Sequence, residues 1–188
     1  NTVMQVGHNT LRLMAMGMED RPPRPEELAL MERLLEEALD AGALGLSSGL
    51  FTAPGCYAAT EELIALGHVL HRHGAAYASH IRDEANHVFE AVREAIAIGE
   101  ACGIHVQIAH LKLSGSDNWG GATQLLADIE AARQRGVQVD CDQYPYTTAS
   151  NPLRNLLPTW VQVGGMEAML QRLGEPATRA RMHEEIAA

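Results

Sequence analysis

Short apolar runs alternate along this chain with longer stretches whose apolar residues recur every three to four positions. Five of the short runs, residues 3–6, 43–47, 76–80, 105–110 and 137–142, read as buried strands. The longer stretches read as helices. Over 25–41, Leu28, Met31, Leu35 and Ala38 keep an i, i+3, i+7, i+10 stripe; Pro25 suits the first turn and Glu26 and Glu27 lie near the positive end of the dipole. Gly42 then stops the helix. Thr60 reads as the N-cap of a second helix ending near Gly74, with Glu61 and Glu62 in its first turn. A third, 87–102, places Phe89, Val92 and Ile96 on one face and ends at Gly103. A fourth covers 122–135 and closes at Gly136.

The order is β-α-β-α-β-α-β with a repeat of about thirty residues, the length of a strand–helix–strand unit, so parallel strands with right-handed crossovers are expected. An open doubly wound sheet and a (β/α)8 TIM-like barrel both satisfy that order. No GxGxxG or phosphate loop follows any strand. Polar residues at the ends of successive strands favour the barrel, whose sites are built there. With five strands where a closed barrel has eight, the expected fold is α/β, a partial barrel. Beyond the fifth strand, "NPLRNLLPTWVQVGG" is loop-like, and 166–173 and 178–187 look helical; these are expected to cover the sheet after the fifth strand.

Composition narrows the classes. The 188 residues suffice for one domain with a core. The net charge of −10 argues against nucleic acid or an anionic membrane as partner. No apolar run approaches the length of a membrane span. Cys56, Cys102 and Cys141 follow no paired spacing, which points to a reducing compartment and a cytoplasmic location. The chain opens at Asn1 without an initiator Met and reads as a piece of something longer, 1–188 being the central part of a barrel.

His80 and His110, thirty residues apart, each close an apolar run and precede a polar loop. That spacing puts two imidazoles at the same end of neighbouring strands about 4.8 Å apart, close enough to share a metal ion such as zinc, iron or copper. A catalytic zinc takes three protein ligands and a water, so a further ligand is required. Either histidine alone is better read as a structural side chain; together they point to a metal-dependent hydrolase. Lys112, the only lysine, follows on the same loop mouth and suits a substrate carboxylate or a Schiff base. The loop after the fifth strand offers Asp140, Asp142, Tyr144, Tyr146 and Ser150, whose hydroxyls either bind a carboxylate or satisfy a turn shaped by Pro145 and Pro152. Arg82, Asp83 and Glu84 are either surface charge or carboxylates that orient a metal-bound imidazole. His68, His71 and His73 do not share one helix face and read as solvated, as do His87, His105 and His183. Nothing in its spacing supports Cys56 as a ligand.

The strings "GHNTLR", "GALGLSSGL", "ASHIRDE", "AHLKLSGSDNWG" and "DQYPYTTAS" together resemble the N-acyl-D-amino-acid deacylases (D-aminoacylases) of the amidohydrolase superfamily, in order from about His8 to Trp160. The resemblance implies a distorted barrel with one tightly held zinc and sometimes a weaker second metal. By the same resemblance, His80 and His110 ligate zinc with a cysteine from an earlier strand. Lys112, Tyr144 and Ser150 bind the α-carboxylate of an N-acyl-D-amino acid, and a late aspartate is the general base. The first strand's His-x-His, that cysteine, the aspartate and a carboxylate-binding arginine all fall outside these residues, so no catalytic residue is expected within the chain. An isolated piece is expected to be inactive and to associate through unpaired strand edges. A dihydroorotase or hydantoinase type commonly carries a carboxylated lysine before the histidine pair, and no lysine precedes His80. Arg154 either favours acidic D-amino acids or is a surface arginine.

Overall fold

A computed structural model describes residues 2–187. Its centre is one five-stranded parallel sheet in the order β1-β2-β3-β4-β5: β1 Val6–Gly7, β2 Gly45–Gly49, β3 Ala76–His80, β4 Val106–Ile108 and β5 Val139–Cys141. Among the described residues β1 and β5 pair on one side only, so the sheet is an open arc of a barrel. Helices α2 Pro25–Asp40, α3 Thr60–His73, α4 Val88–Cys102 and α5 Ala122–Gln134 make the crossovers.

The alternation of a strand decides which side chains meet the helices. Leu46, Tyr77, Val106, Ile108 and Val139 form one buried face with Leu35 of α2, Leu66 and Leu70 of α3, Val92 and Ile96 of α4 and Ile129 of α5. Ser48, Tyr77 and Ser79 are polar exceptions on that face and satisfy one another, the Tyr77 hydroxyl lying 2.6 Å from Ser48 Oγ. The opposite face carries Ser47, Ala78, His80 and Gln107. Gly45 belongs where β2 and β3 come closest: a methyl group there would collide with the Ala76 carbonyl.

Several expectations change. The first strand is shorter than 3–6, and Val3 and Met4 are exposed, because it is a one-sided edge. A helix the pattern did not suggest, α1 His8–Met16, follows at once; its buried face is made by His8 and Arg12 beside Leu11, so an apolar stripe could not reveal it. Thr60 is the first helical residue, not the cap: Ala59 holds the cap position, and the Thr60 hydroxyl donates to Glu94 at 2.8 Å. After β5 come short 3-10 turns at Leu153–Leu156 and Thr159–Gln162, then α6 Met166–Gly174 and α7 Pro176–Ala187. These form a separate small core around Val161, Met169 and Met182 instead of extending the main one. The Tyr57 hydroxyl, donating to the Thr159 carbonyl at 2.7 Å, and the Gly164 amide, donating to the Met18 carbonyl at 3.0 Å, fasten that unit to the rest.

Candidate functional site

β3 ends on His80, and β4 ends two residues before His110. In the register Gly49 stands opposite His80, so β2 places no side chain beside the ring. The two imidazoles meet with centroids 4.4 Å apart, Nδ1 of His80 facing Nε2 of His110. Loss of water around the ring, and then the neighbouring His110, lower the His80 pKa and favour the neutral form that can ligate a metal.

His110 is the only non-glycine residue with positive φ among those described, at 40°. This left-handed conformation costs an L-residue about 1–2 kcal/mol, so surrounding contacts must hold it. Asp142 supplies one: its Oδ1 accepts the His110 backbone N–H at 2.7 Å and its Oδ2 accepts the Gln107 amide at 3.0 Å. The donation from His110 is the main reason the Asp142 carboxyl is held below the usual range.

Glu84 lies on the other side of the ring. One oxygen sits 2.8 Å from His110 Nδ1 and 2.6 Å from Lys112 Nζ, which are themselves 2.9 Å apart. Ring and ammonium can both donate to that carboxylate, which leaves the Nε2 lone pair of His110 directed at His80. Tyr144 lies over this group, its ring 5.4 Å from Lys112 Nζ and 6.3 Å, centroid to centroid, from His110. The alternatives for the charged residues after β3 separate here. Arg82 is committed to Glu94 and to the Cys56 and Ala58 carbonyls, and Asp83 accepts the Ala85 and His87 amides. Only Glu84 reaches the histidine.

The strand ends open into a cleft of about 840 Å³. His80, His110, Lys112, Tyr144 and Ser150 all line it, with the exposed Tyr146 also at its wall. Arg154 is exposed and is not part of the lining. His105 lies apart, bonded to Asp140 at 2.9 Å. Cys56 is half-buried and outside the cleft lining. No set of three His, Cys, Asp or Glu side chains able to hold a metal occurs among the described residues; the histidines are a pair. That pair still suits a shared metal in part, since two imidazole nitrogens converge and the second nitrogen of His110 has a carboxylate partner.

Two of these features were hidden from sequence reading. Asp142 was one hydroxyl- or carboxylate-bearing loop residue among several, and no local pattern marks His110 as left-handed. Glu84 had a faint signal in its closeness to His80, one it shared with its charged neighbours Arg82 and Asp83.

No family model matches the chain. It is 41% identical over 154 residues to a D-aminoacylase of Alcaligenes xylosoxydans xylosoxydans, covering 82% of this chain and 32% of that protein. An N-acyl-D-glutamate deacylase of the same organism is 42% identical over 153 residues, covering 81% of this chain and 31% of its own length. The chain thus spans about a third of the length of the curated relatives it matches. Among solved structures, an N-acyl-D-glutamate deacylase from Bordetella bronchiseptica is similar, with a TM-score of 0.75 and 41% identity over 78% of this chain and 31% of that one. That protein was crystallised with zinc and a phosphonate that mimics the tetrahedral intermediate of its reaction.

Proposed function

We propose that this chain, similar over about a third of their length to D-aminoacylases, belongs to that amidohydrolase family and forms one wall of a zinc site hydrolysing N-acyl-D-amino acids to a carboxylate and a free D-amino acid. The observation that carries the reading is the one cleft that gathers a facing histidine pair, the only lysine and the hydroxyls of Tyr144 and Ser150. His80 and His110 are the proposed zinc ligands, through Nδ1 and Nε2. Zinc bound there would polarise the amide carbonyl and lower the pKa of its water from 15.7 toward about 7.

The chain's own residues do the positioning. Lys112 pairs with the substrate's α-carboxylate, and Tyr144 and Ser150 add hydroxyl donors to it, so the scissile carbonyl is presented to the histidine pair. Glu84 holds the proton on His110 Nδ1. The general base is an aspartate outside these 188 residues, and the isolated chain is accordingly expected not to turn over. The three free cysteines agree with a reducing, cytoplasmic setting. No helix of the described residues is long and apolar enough to cross a membrane, and the proposed ligand is a small molecule, as the similar deacylases suggest.

In the complete protein, His110→Ala should strip zinc and activity together, read by metal analysis and deacylation of N-acetyl-D-amino acids. Lys112→Met should keep its zinc and raise KM by roughly 10–100-fold, the worth of a charge-assisted hydrogen bond of about 1.5–3 kcal/mol. A His110→Ala protein that stays zinc-replete and active removes the assignment. An unchanged KM in Lys112→Met removes the carboxylate role.

A further inference from the structure

We infer that Asp142 is a positioning residue for the zinc site: its carboxylate clamps the backbone of His110 in the left-handed conformation that turns the imidazole toward His80. The inference rests on the reading of His110 as a ligand and adds what keeps that ligand in place.

β4 ends at Ile108 and the chain turns at residues 109–110, with the Ala109 amide still donating to the Ser79 carbonyl at 2.9 Å. His110 then takes a φ of 40°, which an L-residue keeps only when other contacts enforce it. Three bonds converge from one residue of the next strand's end. The Asp142 amide donates to the Ile108 carbonyl at 3.1 Å, the Asp142 carbonyl accepts the Leu111 amide at 2.8 Å, and Asp142 Oδ1 accepts the His110 amide at 2.7 Å. The last is the only one of the three that a side chain makes, and so the only one a substitution removes. Gln107 holds the second carboxylate oxygen at 3.0 Å and fixes the rotation of the group. The ring itself is gripped by Glu84 on its far edge. Backbone and ring are therefore restrained by separate carboxylates, and Asp142 bonds the His110 backbone without lining the cleft.

The test compares Asp142→Leu with Asp142→Asn in the complete protein. Asn keeps an oxygen that accepts the His110 amide, with Gln107 turning its own carbonyl toward the new NH2; Leu has none. Zinc affinity is measured by chelator competition, and protection of the His110 amide by hydrogen exchange on the metal-free protein. The expected result is zinc binding 10–100-fold weaker in the Leu variant, with faster exchange at His110 and an unchanged circular dichroism spectrum. The Asn variant should stay within about threefold of the parent, since the second-sphere contact survives. If Leu does not fold, Asp142→Ser, whose hydroxyl falls short of the amide, replaces it. Unchanged zinc affinity in Leu or Ser, while His110→Ala loses its zinc, overturns the clamp and leaves the ligand assignment standing. An Asn variant as weak as Leu overturns it too, because negative charge and not the acceptor would then be at work. A His110→Ala protein that keeps its zinc overturns the ligand reading and the clamp together.

Discussion

The three cysteines differ in what surrounds their sulfur atoms, and that difference sets their chemistry. Burial, followed by the negative charge of Asp20, pushes the Cys56 thiol up to about 11. Burial raises Cys102 as well, and its Sγ contacts the Ile64 carbonyl at 3.4 Å. Cys141, on the outer strand, is exposed. At pH 8 only about one Cys56 in a thousand is thiolate, the reactive form. Iodoacetamide at that pH should therefore modify Cys141 first and leave Cys56 and Cys102 largely unlabelled until the chain unfolds. Peptide mass spectrometry reads the order, and rapid labelling of Cys56 in the native protein would contradict it. The candidate site shows the same dependence of chemistry on surroundings. Lys112 was legible as an unusual residue because it has no equal in the chain, and the histidine pair was legible from its spacing. The grip of Glu84, 26 residues from His110, had only a faint trace beside His80, and the left-handed turn at His110, held by a side chain 32 residues away, had none.

Helices α1 and α3 are joined by charges buried where apolar contacts would be usual. Glu62 of α3 accepts from His8 at 2.7 Å and from Arg12, and the Arg12 guanidinium also donates to the Glu19 and Arg21 carbonyls at 3.2 and 3.1 Å. His8 and Arg12 are fully buried and Glu62 nearly so. Removing one member leaves an uncompensated charge, at a cost of about 3–5 kcal/mol. Glu62→Ala should therefore lower the urea midpoint sharply, whereas Glu36→Ala, at the exposed pair with Arg72, should move it little, at a cost of less than about 1 kcal/mol of stability. Equal shifts would refute the assignment. This contact also explains which elements could be read in advance. Helices α2 to α5 bury apolar stripes, and their residues announce the period; α1 buries a histidine and an arginine, and only the neighbour it docks against makes sense of them.

The whole molecule carries 24 acidic against 14 basic side chains, and many of its carboxylates are stabilised in the charged form by folding. Arg21 brings Glu27 to about 2, and donors lower Glu100, Asp140, Asp142 and Glu185 as well: Arg135, His105, the His110 amide and Trp160 respectively. A folded-state pKa below the unfolded value means that the native form binds fewer protons, so the contribution is complete above the unfolded pKa and is lost on acidification. The melting temperature should accordingly fall slightly through the imidazole range, where His80 resists protonation, and then more steeply from about pH 4.5 as the pH approaches 2. Thermal melts followed by circular dichroism across that range check the sign, and a rise on acidification would reverse it. The same surplus of negative charge bears on how an anionic ligand enters. Among the described residues lining the cleft, the one lysine is already paired with Glu84. On the proposed reading, docking of a carboxylate on Lys112 is a partner exchange, in which the newcomer must outcompete a resident carboxylate. Such a site would select ligands by how strongly they bond the ammonium relative to Glu84.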